Sequence, residues 1–113
     1  MADVDHELAF LISLDGHEFR LMTGYTVKIE ARVVAATRHR PQGLKYSLTL
    51  HDLANRRIYG IDNAHGMRRQ TEYDHWHTYG RRKIVGYMYR GAAELLADFY
   101  LEVERILKER GVS

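Results

Sequence analysis

The most constraining feature of this chain is an alternation that starts at Tyr25. Tyr25, Val27, Ile29, Ala31, Val33 and Ala35 fall on one side of an extended chain, and Thr26, Lys28, Glu30 and Arg32 on the other. A strand that is apolar on one face only belongs to a sheet with one face on a core and one in water. Antiparallel sheets allow this, whereas parallel sheets are covered on both faces. The pattern returns with Leu44, Tyr46, Leu48 and Leu50 set against Lys45, Ser47, Thr49 and His51. Between the two runs, Arg38-His39-Arg40-Pro41-Gln42-Gly43 reads as a loop with a positive tip. Asp52-Leu53-Ala54-Asn55 is a turn, after which Arg56 to Ile61 comes back as a third strand. The expectation is an antiparallel meander of residues 25–36, 44–52 and 56–62.

Two further stretches, His75 to Tyr79 and Lys83 to Tyr89, are aromatic and β-branched enough to add strands, with Gly80-Arg81-Arg82 between them. Over residues 92–110 the period changes. Ala92, Leu95, Leu96, Phe99, Tyr100, Val103, Ile106 and Leu107 recur every three or four residues, which predicts an amphipathic helix stopped at Gly111. Phe10, Leu11, Ile12 and Leu14, followed by Asp15-Gly16, read as the first arm and turn of an acidic N-terminal hairpin over residues 7–22. The predicted fold is α+β: one domain over residues 1–113, with an antiparallel sheet of five to six strands and a C-terminal helix packed on one face.

Charge is unevenly distributed. Residues 1–36 carry three basic and six acidic side chains, residues 37–90 eleven and four, and residues 91–113 three and five, giving nets of −3, +7 and −2. Five of the seven histidines also lie in the basic middle: His39, His51, His65, His75 and His77. Such a centre suits a polyanionic partner, the alternative being an Arg-rich solvated strand surface. The absence of cysteine excludes disulfides, thiolate zinc sites and a cysteine nucleophile. No apolar run reaches the roughly 20 residues of a membrane span, and the start is acidic where a secretory signal is basic, so the expected location is the cytoplasm.

The reactive chemistry collects between Gly60 and His77. In an extended chain His75 and His77 share a face, roughly 6–7 Å apart at Cα. They could chelate a metal with Asp62 or His65 as a third ligand, or serve as acid and base toward a phosphodiester. They could also be surface histidines flanking a structural Trp76. Arg68-Arg69 and Arg81-Arg82-Lys83 bracket the pair, and guanidiniums grip phosphate with a planar fork. Tyr73, Trp76 and Tyr79 interleave with them as single-stranded nucleic acid sites require, or as ordinary edge packing. His51 ends one strand and Asp62 another, and in a meander the two ends could converge.

Gly43-Leu44-Lys45-Tyr46-Ser47-Leu48, Leu50-His51-Asp52, the run Gly60-Ile61-Asp62-Asn63-Ala64-His65-Gly66, the spaced His75-Trp76-His77 and Leu95-Leu96-Ala97-Asp98-Phe99-Tyr100 together resemble the TumE family of toxin–antitoxin proteins. The likeness covers about residues 25–110. It implies a small toxin held by a cognate antitoxin that carries a helix-turn-helix or winged-helix DNA-binding domain. Met67-Arg68-Arg69 and Tyr73-Asp74 replace part of a denser histidine cluster common in the family, which argues against a metal here.

Taken together, these features predict a toxin acting on RNA as a metal-independent ribonuclease, with no cofactor. His65, His75 and His77 would carry protons and Asp62 would orient an imidazole. Arg68, Arg69, Arg81, Arg82, Lys83, Trp76 and His51 would contact the substrate. The alternative is a non-enzymatic module whose basic face binds nucleic acid or an acidic antitoxin. Exposed outer strands at residues 8–22 and 83–89 also suggest a homodimer formed by strand pairing.

Overall fold

The computed structural model describes residues 5–38, 43–63, 74–78 and 83–112, with 74–78 and 83–87 described as backbone. The elements run α1 (Asp5–Ser13), β1 (His17–Arg20), β2 (Thr26–Val33), β3 (Leu44–His51), β4 (Arg57–Asp62), β5 (Asp74–Thr78), β6 (Lys83–Tyr87) and α2 (Ala92–Glu109). The strands lie side by side in chain order, and each pairs antiparallel with the next. The architecture is the α+β arrangement the alternation predicts, an antiparallel sheet with the C-terminal helix on one face.

Val27, Ile29 and Ala31 of β2 face Leu50, Leu48 and Tyr46 of β3, and Leu50 and Leu48 in turn face Tyr59 and Ile61 of β4. All of these are buried and make one wall of the core. The other wall is α2, which buries Ala92, Leu95, Phe99, Val103, Ile106 and Leu107 at helical spacing. The rings of Tyr59 and Phe99 stack between the layers, with centroids 5.5 Å apart. At the helix end, Val112 N–H donates to the Leu107 carbonyl and Gly111 N–H to that of Lys108. This Schellman closure needs the left-handed backbone that Gly111 adopts at φ 74.

The N-terminus departs from the expected hairpin. Residues 5–13 are helical, and only His17–Arg20 is a strand, paired with β2. Because Phe10, Leu11, Ile12 and Leu14 are nearly contiguous, period alone does not separate helix from strand, and packing decides. As a helix the segment buries Leu11 and half-buries Leu8 three residues earlier, against α2 and β2. The turn is then fixed by Asp15, whose Oδ1 accepts the Ala31 N–H at 2.8 Å, just past the end of the β1 pairing. The predicted strand over residues 25–36 is also too long. It ends at Val33, which is 65% exposed and leaves the core stripe, as does exposed Ala35.

Candidate functional site

The sheet face away from the helices is where the polar partners of these strands collect. Register lines them up in rows across the strands. In one row Glu18, Lys28, Thr49, Gly60 and His77 are successive partners; in the next, Glu30, Ser47, Asp62, His75 and Gly86 are. His75 is thus the cross-strand partner of Asp62 on one side and of Gly86 on the other, and His77 is the partner of Gly60. Each histidine position thus has a glycine on one side, with Asp62 beside His75 and Ile84 beside His77 on the other.

A β-bulge completes the site. The β3–β4 register shifts between Leu50, opposite Tyr59, and His51, opposite Arg57, so Ile58 is the extra residue. Under strict alternation Arg57 would share the core face with Tyr59 and Ile61. The bulge transfers it to the outer face instead. There its Nη2 lies 3.3 Å from Asp62 Oδ2. It passes over Gly60, where an added Cβ would sit 3.0 Å from that same nitrogen and 3.0 Å from Thr49 Cγ2. Asp62 is almost buried and Arg57 half-buried, so this pair is less screened than a surface ion pair.

His51 and Asp62 do not converge. His51 pairs with Arg57 while Asp62 pairs with Ser47, four residues along β3, roughly 13 Å at strand rise. Arg57 spans the gap between them. The His51 Nε2 is hydrogen-bonded with the Thr49 hydroxyl at 2.9 Å. Burial lowers the His51 pKa below its usual value, and the Lys28 and Arg57 charges lower it further. The Asn55 backbone and Glu18 oppose them. The ring is therefore neutral near pH 7, a hydrogen-bonding group rather than a cationic phosphate ligand.

Two residues beside the site have structural work. Asp52 accepts N–H bonds from Ala54 and Arg56 and an Nε–H bond from Arg56, closing the β3–β4 turn; the backbone bond from Arg56 contributes most to lowering its pKa. Asn63 is fully buried. Its Oδ1 accepts the Tyr46 N–H at 2.9 Å and its Nδ2 donates to the Leu44 carbonyl at 2.6 Å, so its amide continues the β3 ladder where β4 ends. The Asp-Asn pair thus divides its labour: Asp62 faces the site and Asn63 anchors the backbone that presents it.

Of the residues singled out from the sequence, Asp62 and His51 lie on the outer face, and His75 and His77 occupy register positions on it. Trp76 is the partner of Ile61, and Lys83 that of Thr78, itself opposite Tyr59. Both are register positions of the helix-side face, which separates them from the histidines. His65, Arg68, Arg69, Arg81 and Arg82 lie outside the described residues. Arg57 escaped the sequence reading because a period of two assigns it to the core. The only available signal was that a charged residue at a core position is anomalous.

Among the described residues, no helix is long and apolar enough to cross a membrane. No curated protein and no solved structure matches the chain significantly. A family model does. The description of that model is "Toxin TumE" and it spans residues 9–107, from α1 through nearly all of α2, so the chain belongs to the TumE toxin family.

Proposed function

We propose that this toxin-family chain acts on RNA, with the outer face of β3, β4 and β5 as the substrate surface. The observation that carries the reading is the row in which Asp62 is the register partner of His75 and the ion-pair partner of Arg57. A carboxylate beside an imidazole position can orient the ring, and a guanidinium nearby can hold a phosphate. In the reaction, one of His75 and His77 takes the proton of a ribose 2′-hydroxyl. The freed oxygen bonds to phosphorus, and the P–O5′ bond breaks. The other histidine gives its proton to the departing 5′ oxygen. His65 is the third candidate for either proton role. Arg57, with Arg68, Arg69, Arg81 and Arg82, neutralises the phosphate.

This assignment adds Arg57 and removes two earlier candidates. Trp76 and Lys83 are left out of this substrate surface because their register positions fall on the other face from those of the histidines. A cognate antitoxin follows from the family in general terms; a DNA-binding domain on it is part of the proposal. The test is incubation of the purified chain with total RNA, with and without EDTA. Cleavage that survives EDTA and disappears in folded His75→Ala and His77→Ala variants supports the site. Full cleavage by both folded variants rejects it, and cleavage lost with EDTA rejects the metal-independent chemistry.

A further inference from the structure

β1 is an outer strand of the sheet, with all four of its residues exposed. The phase of its free edge is set by one bond. Leu21 N–H donates to the Tyr25 carbonyl at 2.7 Å, which makes 21 and 25 a hydrogen-bonded pair. Antiparallel ladders alternate, so Phe19 with Val27 is bonded too, while Glu18 and Arg20 turn their N–H and C=O groups away from β2. Those two residues therefore offer the backbone that another strand can use.

We propose that a second copy of this chain occupies that edge, its β1 running antiparallel to the first about a two-fold at Phe19. In this register Glu18 lies opposite Arg20 of the partner subunit, and Arg20 opposite Glu18 of the partner subunit. Both pairs have outward backbone groups, so four inter-chain hydrogen bonds form with the phase already set. Shifting the two-fold to residue 18 would oppose two glutamates, and shifting it to residue 20 would oppose two arginines, which like-charge repulsion disfavours. The edge is self-complementary in one register only.

The helix-side face supports the same arrangement. Phe19 is the partner of core residue Val27, yet it is 36% exposed, and Phe10 beside it is 58% exposed. With Leu14, Leu96, Ala97 and Tyr100 they line an open apolar hollow next to the edge. A two-fold at Phe19 brings the two Phe19 side chains together, since non-hydrogen-bonded pairs approach closest, and carries the second copy's apolar rim toward the hollow. Glu18 is only loosely held now, 4.0 Å from Lys28 across an exposed surface, and is free to exchange partners.

The experiment is sedimentation equilibrium of the full chain across micromolar concentrations, with a charge-swap cycle. The wild-type chain should be dimeric. Glu18→Arg and Arg20→Glu should each weaken dimerisation by about tenfold or more, and the double variant should restore it, an outcome misfolding cannot produce. Arg20→Pro deletes one outward N–H while sparing the bonds to β2, and should give a folded monomer. A wild-type chain that stays monomeric overturns the proposal and leaves the edge to a strand of another protein. A dimer indifferent to all four variants also overturns it, placing the contact elsewhere.

Discussion

The guanidinium of Arg57 ends 3.3 Å from the carboxylate of Asp62, five residues along the same strand and across a glycine. The bulge at Ile58 makes that reach possible, and it couples the histidine row to the basic part of the face. Replacing Arg57 with Met keeps the bulk of the stem and removes the fork. We expect a stability loss of about 1–3 kcal/mol in urea unfolding, from the nearly buried carboxylate that loses a charged partner. RNA affinity should fall, and its salt dependence should flatten by about one phosphate contact. An unchanged salt slope would remove Arg57 from the substrate surface.

Gly60 is required by what crosses it. An alanine Cβ there would sit 3.0 Å from Arg57 Nη2, 3.0 Å from Thr49 Cγ2 and 3.1 Å from the Leu48 carbonyl oxygen. The arginine can move aside, but the backbone oxygen cannot move without disturbing β3. Gly60→Ala should therefore cost about 1 kcal/mol or more despite the intrinsic advantage of alanine in a strand. Combining it with Arg57→Met should cost less than the sum of the two, because the displaced group is already gone. A double-mutant cycle by urea unfolding checks both statements.

Asn63 is predicted to be a stability residue. Asn63→Ala strands the Tyr46 N–H and the Leu44 carbonyl in the interior, an expected loss of about 2–4 kcal/mol. Asn63→Asp keeps the acceptor for Tyr46 but turns the donor into a second acceptor 2.6 Å from the Leu44 carbonyl. It should be at least as damaging at neutral pH and partly recover on acidification, when the carboxyl can donate. Thermal melts at two pH values would reveal that recovery or its absence.

His51 gives the fold a pH dependence with a fixed sign. Its folded pKa lies below 6.5, so between that value and 6.5 the unfolded chain binds more protons. The contribution of His51 to stability is complete above 6.5 and is lost as pH falls through the lowered value. Subtracting the urea-unfolding free energies of a His51→Gln variant from those of the parent, from neutral to mildly acidic pH, isolates this residue from the other histidines. The difference should shrink toward acid; a flat or rising difference would mean that the ring is not held neutral.

How much the sequence disclosed depends on how local the deciding interaction is. Leu44 to Leu50 and Leu95 to Leu107 show their periods openly, and both elements form as that pattern dictates. The first helix was illegible because its apolar residues crowd together and only contact with α2 chooses between helix and strand. The stretch around His75 and His77 forms the strand its composition suggests, but its alignment with Asp62 and Gly60 depends on register, which no single segment encodes. Arg57 was hidden more completely. One extra residue in the ladder reversed its face, and a bulge leaves no periodic trace.

The strict chain order of the strands also bears on how the molecule comes into being. Every ladder joins segments adjacent along the polypeptide, so closure entropies stay small and the sheet can zip from its N-terminal side as synthesis proceeds. The row through Asp62 gains its histidine only when β5 docks, and the opposite wall of the core arrives later still with α2. A chain interrupted before residue 74 therefore has neither the His75–Asp62 pairing nor the α2 wall of the core.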